Sequence, residues 1–97
     1  MPVRVVEGAV EEALPLLEAR WDLVVADPPR NGLGERGVGA VVIGRPRSIA
    51  YVACDPASLA RDTRTLVDAG YRLDWVAPVD LFPQTFHVEA VAAFSAR

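Results

Sequence analysis

Apolar positions along the chain fall in short runs of two kinds, and the two kinds alternate. Val3 to Val6 is a β-branched run, a predicted strand, broken by Gly8. Glu11 to Ala19 follows with Ala13, Leu14 and Leu17 at helical spacing, and Pro15 falls near the first turn, where a missing N–H costs least. Trp21 to Ala26 reads as a buried strand that must stop at Asp27-Pro28-Pro29-Arg30, because two successive prolines cannot continue a central ladder. Asn31 to Gly39 holds four glycines and is expected to be loop, with a short helix over Val38 to Ile43. Ser48 to Ala53 is the next predicted buried strand and runs into Cys54. Pro56 to Ala69 has the strongest helical pattern: proline in the first turn, Leu59, Leu66 and Val67 on one side, and Gly70 as the stop. Tyr71 to Pro78 and Val88 to Ser95 are two further predicted strands.

Strands that alternate with helical segments predict a mostly parallel sheet, so the fold class is α/β. No helical pattern separates the last two strands, which predicts an antiparallel pair. There is no internal repeat and no linker, and 97 residues are enough for one small domain with one modest core.

Composition narrows the function classes. Half of the residues are hydrophobic (52%) and 24% are charged, which fits a globular domain. No apolar run approaches the roughly 20 residues that span a bilayer, and Met1 to Glu7 lacks the features of a signal peptide. A cytoplasmic location is therefore expected. The single cysteine excludes an internal disulfide and cannot build a cysteine-based metal site alone, and no metal is expected. The net charge of −3 does not advertise nucleic-acid binding. All ten basic residues are arginine, which fits either genomic base composition or a preference for guanidinium contacts to phosphate.

Three places combine a predicted strand end with a reactive side chain. Asp27 follows Leu23-Val24-Val25-Ala26 and precedes the rigid diproline. It is either an ordinary strand-ending turn or a carboxylate held toward the crevice where open α/β sheets bind ligands. Cys54 ends the strand before Asp55-Pro56. It is either a small buried hydrophobe or a nucleophile. The positive end of the following helix favours negative charge on its sulfur, and the adjoining Asp55 opposes it. Glu89 interrupts the apolar start of Val88-Glu89-Ala90-Val91-Ala92-Ala93-Phe94. It is either on the solvent face or a base placed for proton transfer. Gln84, Thr85 and His87, in the segment before it, carry no firm role. If the strands are parallel, all three ends open on one side, which gathers an acid, a thiol and a second carboxylate.

Trp21-Asp-Leu-Val-Val-Ala-Asp-Pro-Pro-Arg-Asn-Gly32, Tyr51-Val-Ala-Cys-Asp-Pro-Ala-Ser-Leu-Ala-Arg-Asp62 and Asp80-Leu-Phe-Pro-Gln-Thr-Phe-His-Val-Glu89 resemble, in order and spacing, three successive motifs of the RNA (uracil-5-)-methyltransferases. This family makes 5-methyluridine in tRNA or rRNA with S-adenosyl-L-methionine. The resemblance implies that Cys54 is the nucleophile that adds to C6 of uracil, that Glu89 is the base that removes the C5 proton, and that Asp27 contacts the cofactor. It also implies a class I methyltransferase sheet of order 3-2-1-4-5-7-6.

This chain begins at the equivalent of the third strand. The glycine-rich cofactor loop after strand one, the ribose-binding acid after strand two and an RNA-binding barrel are not in it. The expectation is therefore that residues 1–97 form the C-terminal part of the domain, a partial Rossmann-like sheet of 3-4-5-7-6 equivalents, with a cofactor half-site and no turnover alone. Strand Val3–Val6 is expected either beside strand Leu23–Ala26, or that open edge pairs with another chain and gives self-association. RNA is the expected partner through the full-length enzyme. Two alternatives remain at this point. Asp-Pro-Pro-Arg loosely resembles a motif of amino-methylating class I enzymes, and a fold remnant can persist as a non-catalytic binding or assembly module.

Overall fold

The computed structural model describes residues 21–79 and 89–97. Four strands and two helices follow in the order β1 (Leu23–Ala26), α1 (Gly34–Ile43), β2 (Ser48–Ala53), α2 (Pro56–Asp68), β3 (Tyr71–Val79) and β4 (Glu89–Ala96). The sheet order is β1-β2-β4-β3. β1 runs parallel to β2, and β4 is antiparallel to both β2 and β3. The last strand thus inserts between its two predecessors. This is the 4-5-7-6 portion of the expected class I sheet. The expected strand Val3–Val6 and helix Glu11–Ala19 lie outside the described residues.

β2 has the predicted bounds, and α2 begins at Pro56 as predicted. Asp55 is extended and caps α2 by accepting a hydrogen bond from the Ser58 N–H. Pro56 follows in the first turn, where its fixed φ suits the helix and its lack of an N–H leaves no bond unmade.

Two expectations need correcting. The segment Asn31–Gly39 is not all loop: α1 already starts at Gly34. Low helix propensity at three glycines hid its first turn, and a contact from α2 supplies the missing cap. The strand read as Trp21–Ala26 starts at Leu23 and is not buried on both faces. Ala26 is buried and Val24 packs against the core, whereas Leu23 and Val25 are 58% and 65% exposed. Side chains alternate along a strand, and among the described residues both helices pack on the same face of the sheet.

The core lies between that face and the two helices. Val38 and Val41 of α1 and Leu59 and Leu66 of α2 meet Ile49, Tyr51 and Ala53 of β2 and Ala92 and Phe94 of β4. Burial of each large aliphatic or aromatic side chain here contributes roughly 1.5–3 kcal/mol. Tyr71 closes one end, with its hydroxyl donating to the Pro46 carbonyl at 2.7 Å. On β3 the register shifts between Leu73 and Trp75. Asp74, at this bulge, accepts from Arg72 and from Ser95 of β4, each at 3.0 Å. No described helix is long and apolar enough to cross a membrane.

Candidate active site

The three predicted residues come to one end of the sheet. Asp27 is one step beyond Ala26, which pairs with Tyr51. Cys54 is one step beyond Ala53, the last residue of β2, and Ala53 pairs with Ala90, one step after Glu89 on β4, so Cys54 and Glu89 flank the last pair of the β2–β4 ladder. Glu89 also opens β4 opposite Val79 of β3. Cys54 and Glu89 are both half-buried and Asp27 is exposed. Gln84 and His87 lie outside the described residues. Among the described residues no cluster of three or more potential ligands is placed to hold a metal.

Asp55, whose charge seemed opposed to a thiolate, is turned into α2. Its carboxylate accepts from the Ser58 N–H at 3.3 Å and lies 2.8 Å from the Ser58 hydroxyl. The Ser58 hydroxyl, followed by the Ser58 and Ala57 N–H groups, holds the Asp55 carboxyl below the usual carboxylate range. Ser58 Oγ also lies 2.8 Å from the Arg30 carbonyl, so its single proton is shared between the two acceptors. One buried hydroxyl thus ties the loop behind Asp27 to the helix behind Cys54.

The structure adds a residue that the sequence reading passed over. Asp62 of α2 is completely buried. Its carboxylate accepts from Leu33 N–H at 2.7 Å, Gly34 N–H at 3.2 Å and the Tyr51 hydroxyl at 2.5 Å. Arg61 supplies the counter-charge at 3.3 Å and also donates to the Asn31 carbonyl. Gly32 passes so close that a Cβ there would lie 2.6 Å from the Asp62 carboxylate. The only local signal was an aspartate at the inward spacing set by Leu59 and Leu66.

Comparison with known proteins is decisive at this point. The sequence model of the tRNA (uracil-5-)-methyltransferase family matches residues 12–97. The chain belongs to this family. An uncharacterised RNA methyltransferase of Gloeobacter violaceus is 51% identical over 89 residues, which cover 92% of the chain and 19% of the relative. One from Streptomyces avermitilis is 50% identical over 91 residues, 93% of the chain and 21% of the relative. The crystal structure of the Pyrococcus abyssi tRNA (uracil-54, C5)-methyltransferase, in complex with S-adenosyl-L-homocysteine, superposes with a TM-score of 0.74 at 38% identity. That match covers 90% of the chain and 21% of that protein. M1.HpyAVI superposes with a TM-score of 0.64 at 13% identity over 91% of the chain and 50% of that protein, a likeness of fold alone. The chain spans about a fifth of the length of the curated relatives it matches. Membership of the uracil-5 family favours the uracil-5 reading over the amino-methylating alternative.

Proposed function

We propose that the protein carrying this chain methylates C5 of uridine in tRNA or rRNA, with S-adenosyl-L-methionine as methyl donor. Residues 1–97 form the C-terminal part of its methyltransferase domain. In this reading Cys54 is the nucleophile, Glu89 the base and Asp27 a cofactor contact. The observation that carries it is the end of the β2–β4 ladder, where the last pair, Ala53–Ala90, is flanked by Cys54 on one strand and Glu89 on the other. The likeness to the Pyrococcus abyssi tRNA (uracil-54, C5)-methyltransferase supports it.

The chemistry needs a thiolate because C5 of an intact uracil ring is a poor nucleophile. Cys54 Sγ adds to C6, the S–C6 bond forms, and the C5=C6 electron pair moves onto C5. S-adenosyl-L-methionine, when bound, would supply an electrophilic methyl group to that carbon, its S–CH3 bond breaking with the electron pair left on sulfur as S-adenosyl-L-homocysteine departs. Glu89 then takes the C5 proton. The pair from the broken C–H bond restores C5=C6 and the S–C6 bond breaks, which returns the thiolate. Asp27 fits a cationic sulfonium cofactor: its carboxylate is exposed at the strand end and enters no hydrogen bond or ion pair among the described residues. The glycine-rich half of the cofactor site is not supplied by the described residues, so the isolated segment is expected not to turn over.

RNA containing 5-fluorouridine tests the reading, because fluorine at C5 cannot leave as a proton and the adduct persists. The complete enzyme should form a covalent RNA adduct that Cys54→Ala abolishes. A wild-type enzyme that methylates uridine without forming the adduct would overturn it. A cytoplasmic setting is part of this proposal. For the isolated segment, the edge of β1, unpaired among the described residues, supports self-association, which concentration-dependent sedimentation of that segment tests.

A further inference from the structure

The Asp62 cluster is out of keeping with its position. Leu59, Asp62 and Leu66 fall at i, i+3 and i+7 of α2, and all three are buried. An apolar side chain would satisfy that stripe. A buried carboxylate carries a desolvation cost that is offset only by full hydrogen bonding, and apolar replacement of buried ionic groups is often neutral or stabilising. Stability alone does not account for an aspartate here.

The identity of the donors does account for it. Leu33 and Gly34 belong to the segment that follows Asp27-Pro28-Pro29-Arg30, and Tyr51 stands three residues before Cys54 on β2. Arg61 reaches the same segment through the Asn31 carbonyl. At Gly32, φ is +77°, and an added Cβ would lie 2.6 Å from Asp62 Oδ2, 2.8 Å from Arg61 and 3.0 Å from the Tyr51 hydroxyl. The loop backbone therefore rests directly on the carboxylate. Together with the Ser58–Arg30 contact, this fixes the loop at two points to the helix that follows the nucleophile.

We propose that Asp62, with Arg61 and Tyr51 as its partners, is a positioning residue: it sets the loop behind Asp27, and through it the Asp27 carboxylate, at a fixed place relative to the strand that carries Cys54. The proposal rests on the reading of Asp27 as a cofactor contact. It assigns Asp62 no contact with substrate or cofactor.

The test uses the complete enzyme and S-adenosyl-L-homocysteine binding by calorimetry, alongside KM and kcat for methyl transfer. Arg61 is 53% exposed, so Arg61→Ala should fold; Tyr51→Phe keeps the core ring. Asp62→Asn is the direct variant, and the other two decide the matter if it does not fold. Each folded variant should raise the S-adenosyl-L-homocysteine Kd and the KM for the methyl donor, by about tenfold for Asp62→Asn, with kcat at saturating donor much less affected. In an Asp27→Ala background the effect of Arg61→Ala should vanish, because both changes act through one carboxylate. Folded variants with wild-type Kd and KM, or an Arg61→Ala effect that persists unchanged in Asp27→Ala, would overturn the positioning role. An Asp27→Ala enzyme that binds as well as wild type would instead overturn the cofactor-contact reading beneath it.

Discussion

The backbone N–H of Leu33 donates to the side chain of Asp62, 29 residues later in the chain, at 2.7 Å. Leu33 is the N-cap of α1 and makes no capping bond with its own side chain. The carboxylate of α2 therefore caps α1 from outside, accepting from the Leu33 and Gly34 N–H groups, donors that helix starts otherwise leave unpaired. Asp62→Ala should cost about 3 kcal/mol, the scale for stranding the Leu33, Gly34 and Tyr51 donors without an acceptor. Urea denaturation measures the loss. Amide exchange should locate it, with protection falling first at Leu33 and Gly34.

Tyr51 makes the same cluster sensitive to alkali. Burial, and then the hydrogen bond to Asp62, raise the Tyr51 hydroxyl well above the ordinary phenol range. The neutral phenol is thus favoured in the folded state. Its contribution is complete below the unfolded tyrosine value of about 10 and is lost as pH rises toward the folded value. Stability should fall above about pH 10 more steeply in the wild type than in Tyr51→Phe. Equal alkaline slopes in urea titrations at several pH values would refute this assignment.

How much of this was legible depended on whether the determinant was local. The end of β1 at Asp27-Pro28-Pro29 and the start of α2 at Asp55-Pro56 rest on the backbone limits of proline and on a cap three residues away, and both were readable. The start of α1 was not, because its cap comes from Asp62 of another helix. The exposure of Val25 was not readable either: an apolar run of four residues fits a strand covered on one face or on both. The insertion of β4 between β2 and β3 came from the family resemblance, since local pattern gave only an antiparallel pair. Asp27, Cys54 and Glu89 were visible as polar residues at predicted strand ends, and their gathering at one end follows once the register is known.

On the proposed mechanism, substitution separates the roles of Cys54 and Glu89. Cys54→Ala removes the atom that bonds to C6, so neither adduct nor methylation should remain. Glu89→Gln leaves the thiol in place but removes the base, a loss of about 10²–10⁴ in turnover. With ordinary uridine the Glu89→Gln enzyme should accumulate a methylated covalent intermediate that denaturing electrophoresis and mass spectrometry can detect. A Glu89→Gln enzyme with normal turnover would remove Glu89 from the mechanism.

Ser58 links the two strand-end loops, so its loss should be felt at both. Ser58→Ala removes the hydroxyl shared between the Arg30 carbonyl and the Asp55 carboxylate, at a cost of about 1 kcal/mol. It should also change the acid limb. A carboxyl held below its unfolded value contributes stability that is present above that value, about 4, and is lost as pH falls through the folded one. The hydroxyl is the main cause of the lowering at Asp55. The stability deficit of Ser58→Ala should therefore be larger at neutral pH than at pH 3, as urea titrations at the two pH values would record.

Two glycines with nearly the same backbone angle separate conformational strain from close contact. Gly32 and Gly34 have φ of +77° and +73°. Alanine at either position meets the same left-handed penalty, of order 1 kcal/mol. A Cβ at Gly34 meets nothing within 4 Å, whereas at Gly32 it would meet the Asp62 carboxylate, the Arg61 guanidinium and the Tyr51 hydroxyl at 3.0 Å or less. Those groups hold one another in place, so the clash cannot be relieved by one side chain moving alone. Gly34→Ala should cost about 1 kcal/mol, and Gly32→Ala about 3 kcal/mol, within the range for overpacking added to strain. The difference should shrink in an Asp62→Ala background, where the contacted carboxylate is gone and the Tyr51 hydroxyl has lost its acceptor. Equal costs for the two alanines would mean that the loop does not rest on the carboxylate.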